Sequence, residues 1–200
     1  MLLNEFELAK RALDNSQVIA FPTETVFGLG VYYNDYQAYN LLNKIKCRPE
    51  DKPYTMMVAS IKDICKYAYI DDRASKVINA FMPGEITVLL KAKDNVPSYV
   101  THNTGIIGIR IPNLDNLLKF LEYIKVPLLV PSANKSGEKP ALNSEEVKSI
   151  FKDELGYIFE GSSGGTVPST LVDLTGKEVK IYREGNVKLA DILRVIEGEQ

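Results

Sequence analysis

Short segments with strand character alternate along this chain with amphipathic segments of helical period, and no linker or compositional break interrupts the alternation. The segments typical of strands include SQVIAF at 16–21, EITVLLKA at 85–92 and TGIIGIRIP at 104–112. Those with helical spacing include NDYQAYNLLNKIK at 34–46 and LDNLLKFLEYI at 114–124. This alternation favours an α/β fold. A length of 200 residues suits one domain, so we expect a single domain over residues 1–200.

Three further strand-like segments follow one another late in the chain, at 155–161, 169–175 and 178–184. The connections between them offer too little helix for a strict succession of parallel crossovers, so some of the pairing should be antiparallel. The fold class that we predict is therefore α/β, with a twisted, mostly mixed or antiparallel sheet that is flanked by helices.

Several classes of protein are disfavoured by composition. Two cysteines, Cys47 and Cys65, and one histidine, His102, make a metal site or a disulfide framework unexpected, and we expect His102 to be a solvated loop residue. The N-terminus has a charged helical pattern, and no apolar run approaches the roughly 18 residues of a membrane span. We therefore expect a cytoplasmic protein without membrane contact. The net charge of −2 argues against a general polyanion binder.

Arginine is scarce in a chain that otherwise uses lysine for its positive charge, with 6 Arg against 18 Lys. Arg offers a planar fork that matches carboxylate and phosphate, which Lys does not. Arg11, Arg73 and Arg194 lie in helix-like stretches, and we interpret them as surface residues. The remaining three are candidates for anion binding, namely Arg48, Arg110 and Arg183.

Polar clusters stand at the ends of the strand-like segments, where α/β sheets commonly bind ligands. They are PTET at 22–25, KCRPEDKP at 46–53, GIRIP at 108–112, PSAN at 131–134 and PSTLVD with YRE at 168–173 and 182–184. Together they supply Thr23, Thr25, Lys46, Arg48, Lys52, Arg110, Ser132, Asn134, Ser169, Thr170 and Arg183. Cations, hydroxyls and one amide dominate this set, and no pair of carboxylates is evident, so it suits an anionic ligand.

Each cluster also has a purely structural interpretation. PTET fits a turn whose hydroxyls satisfy the local backbone, PSAN fits a simple turn, and the 46–53 cluster fits a charged helix C-terminus. Arg110 stands among Ile109, Ile111 and Gly108, either on the polar side of a half-buried strand or in a site. It is the joint occurrence of the clusters that favours a site.

The motifs occur in a consistent order over nearly the whole chain, from about Val18 to Arg183. They are PTETVFGLG at 22–30, KCRPEDKP at 46–53, PGEITVLL at 83–90, GIRIP at 108–112, PSAN at 131–134, STLVD at 169–173 and REG at 183–185. In these motifs the chain resembles the YrdC-type threonylcarbamoyl-AMP synthases, in their short bacterial form. Any one motif is weak, whereas seven in order make a specific resemblance.

The resemblance implies an α/β domain in which a twisted sheet and helices surround a concave ligand cavity. It also implies a nucleotidyltransferase that joins L-threonine, bicarbonate and ATP into L-threonylcarbamoyl-AMP and releases pyrophosphate. That reaction is the first step of the N6-threonylcarbamoyladenosine modification of tRNA at position 37. Mg²⁺ on the triphosphate is the implied cofactor, and the downstream tRNA threonylcarbamoyl transferase machinery is the implied partner.

The same resemblance assigns roles residue by residue. The implied catalytic residues are Lys46, Arg48, Ser132 and Asn134. The implied ATP contacts are Arg48, Lys52, Ser132, Ala141 and Arg183, and the implied threonine contacts are Thr23, Thr25, Arg110, Val130 and Ser169. There are departures from the family pattern: Phe27 replaces a commoner Tyr, and Met57 stands where longer members have a threonine-binding His.

Three alternatives stay open from the sequence alone. The first is a protein that contacts tRNA or double-stranded RNA through the same basic residues. The second is a paralogue of the same fold that adenylates another carboxylate or has lost activity. The third, a related carbamoyl-adenylating domain of hydrogenase maturation proteins, sits in a much longer chain with zinc-binding cysteines, which this chain lacks.

Overall fold

The computed structural model describes residues 2–47 and 53–198. The helices are α1 (Leu2–Asp14), α2 (Tyr36–Lys46), α3 (Ile61–Tyr67), α4 (Asp72–Phe81), α5 (Ser98–Thr101), α6 (Asp115–Ile124), α7 (Ser144–Phe151) and α8 (Leu189–Glu197). The strands are β1 (Ile19–Phe21), β2 (Gly28–Tyr32), β3 (Thr55–Met57), β4 (Ile86–Lys91), β5 (Ile106–Arg110), β6 (Leu128–Val130), β7 (Tyr157–Ile158), β8 (Thr170–Asp173) and β9 (Lys180–Arg183).

Helix starts follow the capping chemistry of the sequence. Asp35 accepts a hydrogen bond from the Ala38 amide at the start of α2, and three other helices begin in the same way. Their caps are Ser60 for α3, Asp71 for α4 and Asn143 for α7. Each such side chain satisfies an amide that has no partner within its helix. The predicted starts of α2 and α7 are therefore confirmed.

The nine strands form one mixed sheet in the order β7-β1-β2-β6-β3-β5-β4-β8-β9. Three of its neighbouring pairs, β7-β1, β3-β5 and β4-β8, are parallel, and the other pairs are antiparallel. The predicted mixed α/β class is confirmed, and so is antiparallel pairing near the C-terminus, between β8 and β9. β7 pairs instead with β1 at the opposite edge of the sheet.

Alternate residues of the strands point to two different environments. Ala20, Met56 and Leu129 belong to a large apolar core on one face, which α2, α3, α4, α7 and α8 complete. Ile19, Met57 and Leu128 point the other way and belong to a second core with α1 and α6. Those two helices cover only one end of the second face, and the rest of that face is the wall of a cavity.

The glycines of PTETVFGLG make close packing contacts within the sheet. Gly28 and Gly30 belong to β2 and pack against Phe21 of the paired strand. A Cβ on Gly30 would lie 2.6 Å from Phe21 Cε1. Strand β2 was not predicted because two glycines weaken any strand pattern. The short helix α5 was likewise not predicted.

Two residues for which the sequence predicted only solvent exposure make specific contacts. Arg73 donates to the carbonyl oxygens of Leu174, Gly176 and Lys177 and so holds the turn between β8 and β9. His102 is half-buried, and its Nε2 lies 3.1 Å from the Tyr39 hydroxyl, so it is not simply a solvated loop residue. Across residues 2–47 and 53–198, no helix has both the length and the apolar character needed to cross a membrane.

Candidate functional site

A cavity of about 680 Å³ lies against the open part of the second sheet face. Its wall comes from the loop before β2, from β3, β4, β5 and β8, and from the far edge strand β9. The residues that line it include Thr23, Thr25, Tyr54, Thr55, Met57, Thr87, Leu89, Arg110, Val130, Ser132, Pro168, Ser169, Leu171, Tyr182 and Arg183. The cavity therefore collects residues from most of the length of the chain.

Strand register explains why these particular side chains meet. Met57 pairs with Arg110 across β3 and β5, and Leu171 pairs with both Thr87 on β4 and Arg183 on β9. Partners in register share a face of the sheet, so their side chains stand side by side. The sheet thus sets both arginines on the same wall, Arg110 centrally and Arg183 at the edge.

Arg110 is almost fully buried at the inner end of the cavity. Its Nε donates to the Gly84 carbonyl at 3.1 Å, and its Nη1 and Nη2 both donate to Thr25 Oγ1 at 3.1 Å. Nη2 also lies 2.9 Å from Glu24 Oε1. A backbone oxygen, a hydroxyl and a carboxylate therefore fix the plane of the guanidinium, and its orientation needs no ligand.

Thr25 and Thr23 extend this network in a defined direction. Thr23 Oγ1 donates to the Val26 carbonyl at 2.8 Å, which uses its single hydroxyl proton. The 2.9 Å contact between the two hydroxyls is therefore a donation from Thr25 to Thr23. Thr25 accepts from Arg110 and donates to Thr23. Thr23 satisfies the local backbone, as the structural interpretation of PTET expects. It also lines the cavity, as the site interpretation expects.

The 161–167 loop, which is remote from PTET in sequence, packs against PTET. Gly164 N donates to the Thr23 carbonyl at 2.9 Å, and Gly165 N donates to the Thr25 carbonyl at 3.0 Å. A Cβ on Gly164 would lie 3.0 Å from the Glu24 carbonyl oxygen. A Cβ at either glycine would crowd the PTET backbone, so the glycines let this loop lie close to PTET and hydrogen-bond to it.

On the same wall, towards the edge of the sheet, Ser169 joins Thr87 and Arg183. Thr87 Oγ1 lies 3.0 Å from Ser169 Oγ, and Arg183 Nη2 donates to the same Ser169 oxygen at 3.2 Å. Arg183 Nε donates to the Ser169 carbonyl at 2.9 Å. Arg183 is otherwise exposed, so its charge reaches solvent at the mouth of the cavity.

Lys46 lies behind the cavity, with 1% of its surface exposed. Its Nζ donates to the carbonyl oxygens of Ser132 at 2.6 Å and Asn134 at 2.7 Å, and it lies 3.3 Å from Asn134 Oδ1. Ser132 Oγ donates to that same amide oxygen at 2.7 Å. The buried ammonium thus folds the PSAN loop around itself and presents Ser132 to the cavity.

The predicted site residues fall into three groups. The cavity is lined by Thr23, Thr25, Arg110, Val130, Ser132, Ser169 and Arg183. Lys46, Asn134 and Ala141 are buried behind that wall, and the Ala141 amide and carbonyl bond to Ala133 and Phe27. Arg48 and Lys52 lie outside the described residues, so their predicted roles stay predictions.

Sequence reasoning missed several residues of the wall. Thr87 stands in an apolar strand, and its spacing of two from Leu89 was the available sign that both share a face. Met57 came up only as a departure from the family pattern, yet it lines the cavity. Tyr54 and Tyr182 carry no motif, and only the three-dimensional structure places them there.

The wall offers cationic and hydroxyl groups, and its electrostatics suit an anion. Arg183 supplies positive charge at the mouth, the Arg110 guanidinium is paired with Glu24, and Thr25, Thr87, Ser132 and Ser169 supply hydroxyls. Within the described ranges, no cluster of three or more His, Cys, Asp or Glu side chains could hold a metal ion. Fold and site together define a mixed α/β protein with a cavity against one face of its sheet whose lining suits an anionic ligand.

Comparison with known proteins identifies the family of this chain. Residues 11–185 match the model of the Sua5_yciO_yrdC family, which is described as "Telomere recombination". The chain belongs to that family. This agrees with the resemblance that the seven motifs indicated.

Several curated relatives carry the name threonylcarbamoyl-AMP synthase. The protein of Vibrio campbellii is 30% identical over 92% of this chain and 100% of its own length. The protein of Pyrococcus abyssi is 30% identical over 96% of this chain, but this chain spans only 57% of its length. The crystal structure of P. abyssi Sua5 complexed with L-threonine matches 98% of this chain and 58% of its own, with a TM-score of 0.91 and 30% identity.

Proposed function

We propose that this protein synthesises L-threonylcarbamoyl-AMP from L-threonine, bicarbonate and ATP, with release of pyrophosphate. The observation that carries the proposal is the shared wall of one cavity, with Arg110 and Thr25 at its inner end and Arg183 with Ser169 at its mouth. Two separated anion-binding groups in one cavity suit a reaction that joins a carboxylate to a nucleotide. The names of the relatives and the threonine complex of P. abyssi Sua5 support the choice of substrates.

The inner group is the proposed amino-acid subsite. Threonine would approach Arg110 with its carboxylate, because the guanidinium is buried and held in one plane, and the ligand would share it with Thr25 and Glu24. Thr25, Thr23 and Ser169 offer hydroxyls nearby, and Val130 adds an apolar contact. Met57 lines the same end and offers no ring nitrogen, so recognition of the threonine hydroxyl falls to these neighbouring hydroxyl groups.

The nucleotide would occupy the outer part, between Ser132 and Arg183. N-carboxythreonine, formed from threonine and bicarbonate with loss of water, attacks the α-phosphorus through its carbamate oxygen. The bond from the α-phosphorus to the bridging oxygen breaks, and pyrophosphate leaves with the electron pair. The protein's task is alignment of two anions that repel each other, and fixed cations reduce that repulsion. Lys46 would act indirectly, by holding Ser132 and Asn134 in place.

Mg²⁺ is part of the proposal as an ion that enters with ATP. The hydroxyl-rich wall fits an ion held by triphosphate oxygens and water rather than by a protein cage. Bound there, it would neutralise charge on the departing pyrophosphate. Arg48, Lys52 and Ala141 remain proposed contacts of the nucleotide. The product would pass, in the cytoplasm, to the machinery that modifies adenosine 37 of tRNA.

The test is incubation of the protein with ATP, Mg²⁺, labelled bicarbonate and each amino acid in turn. We expect label in an acyl adenylate and pyrophosphate release with threonine, and neither without bicarbonate. Turnover that ignores bicarbonate would point to a different carboxylate, and binding of RNA without any adenylate would favour a nucleic-acid role.

A further inference from the structure

A β-bulge at the edge of the sheet places two consecutive residues on the cavity wall. Leu171 on β8 pairs with Arg183 on β9, and Val172 pairs with Ile181, with a register shift between Leu171 and Val172. Two residues on β8 therefore face three on β9, and Tyr182 is the extra one. In a regular strand, neighbouring side chains point to opposite faces.

The surroundings of the pairs show what the bulge achieves. Val172 is fully buried in the core, and Ile181 packs against the same core. Leu171 and Arg183 both line the cavity, and so does Tyr182. A regular ladder would turn Tyr182 to the cavity and residue 183 to the core. The extra residue directs both side chains to the cavity, and bulges of this kind are typical next to binding sites.

Tyr182 presents its ring without a ring contact from the described residues. It is 64% exposed, although it stands at a cavity mouth beside the apolar wall residues Pro168 and Leu171. No ring contact to Tyr182 is found among the described aromatic residues, whereas Tyr36 and Tyr69, each 58% exposed, contact Tyr39 and Lys93. An exposed aromatic face next to a cation is the arrangement that stacks a nucleobase while the cation binds phosphate.

We propose that Tyr182 is the stacking platform for the adenine ring of ATP, and that the bulge exists to set this ring beside Arg183. The proposal rests on the proposed function for the identity of the nucleotide. It makes Tyr182 a residue that determines nucleotide affinity, while threonine binding at Arg110 is separate from it.

The chain contains no tryptophan, so Tyr182→Trp gives one fluorophore at the proposed stacking position. We expect saturable quenching of its emission by ATP and by AMP, and none by inorganic tripolyphosphate. Tyr69→Trp is the matched control on a surface away from the cavity and should respond to none of them. Quenching by tripolyphosphate as strong as by AMP, or an equal response of the control, would overturn the stacking role.

Kinetics separate this proposal from the proposed function. We expect Tyr182→Ala to raise the KM for ATP by about ten-fold or more, the range of a lost stacking contact, with the KM for threonine unchanged. Tyr182→Phe keeps the ring and should retain most of the ATP affinity that Tyr182→Ala loses. An active synthase whose Tyr182→Ala variant keeps the parent KM for ATP would refute the stacking alone. Quenching by AMP in a protein that makes no acyl adenylate would refute the synthase alone.

Discussion

Glu24 Oε1 lies 2.9 Å from Arg110 Nη2, and only 14% and 7% of the two side chains are exposed. The same carboxylate oxygen accepts the Asn113 amide at 2.7 Å, whereas Oε2 is buried and has no hydrogen-bond partner among residues 2–47 and 53–198. The carboxylate therefore holds the arginine from one side and is itself fixed from the other. An ion pair of this kind is sensitive to the loss of either partner.

Replacing Glu24 by Ala should destabilise the fold by about 3 kcal/mol, because it leaves the Arg110 charge buried without its counter-ion. Chemical denaturation measures this. Glu154→Ala is the matched control, since Glu154 pairs with Lys135 but is 47% exposed, and exposed pairs contribute under about 1 kcal/mol. An equal decrease in the free energy of unfolding of the two variants would show that burial does not strengthen the Glu24–Arg110 pair.

Arg110→Lys should weaken threonine binding much more than ATP binding. Lys keeps the charge but loses the planar fork, and with it the simultaneous contacts to Gly84 and Thr25. Loss of one or two charged hydrogen bonds corresponds to roughly a ten- to hundred-fold rise in the KM for threonine. Steady-state kinetics with each substrate varied in turn decides this, and parallel rises in both KM values would contradict the division into two subsites.

Lys46→Met tests whether this lysine acts by positioning. Its removal leaves the carbonyl oxygens of Ser132 and Asn134 without their buried donor, which should cost about 1–3 kcal/mol of folding stability in addition to activity. Thermal unfolding and ATP kinetics are measured on the same variant. An unchanged melting temperature with weakened ATP binding would instead indicate that Lys46 contacts phosphate directly.

Gly30→Ala should destabilise the protein by about 1–3 kcal/mol, since the new methyl group would overlap the ring of Phe21. Gly176→Ala is the control, because the nearest atom to a Cβ there is Glu178 O at 4.0 Å. Adding Phe21→Leu to Gly30→Ala should recover part of the loss if the ring is the cause. Full additivity of the two losses would exclude that contact as the cause.

Glu160 gives a pH-dependent prediction. Hydrogen bonds from Lys148 and then Ser144 hold the pKa of Glu160 below its ordinary value. A lowered folded pKa stabilises the protein above the unfolded pKa of about 4.3, and this is lost as the pH falls through the folded pKa. Because the side chain is 62% exposed, Glu160→Gln should lower Tm by at most about 2–4 °C at neutral pH, and by less at an acid pH below the unfolded pKa. An equal shift at both pH values would contradict this.

Local signals predicted what local chemistry determines. The caps Asp35 and Asn143 marked their helices, and the runs around Val88 and Ile109 marked their strands, because capping and apolar patterning act within a few residues. The sequence did not decide whether Arg110 points into a site, since the face that a central strand turns to the cavity depends on the register of β5 with β3. Tyr182 was not predictable, because a bulge depends on the partner strand and has no signal in its own segment.

Thr25, Arg110 and Arg183 meet in the cavity from early, middle and late parts of the chain, and the 161–167 loop is hydrogen-bonded to PTET across that distance. A polypeptide interrupted before this loop would have the inner arginine but neither the backing of its threonines nor the outer wall. Ligand binding therefore requires the complete fold. A bound ligand would stabilise the packing of segments that are remote in sequence. We expect saturating ligand to protect strands β2 and β8 together from amide exchange.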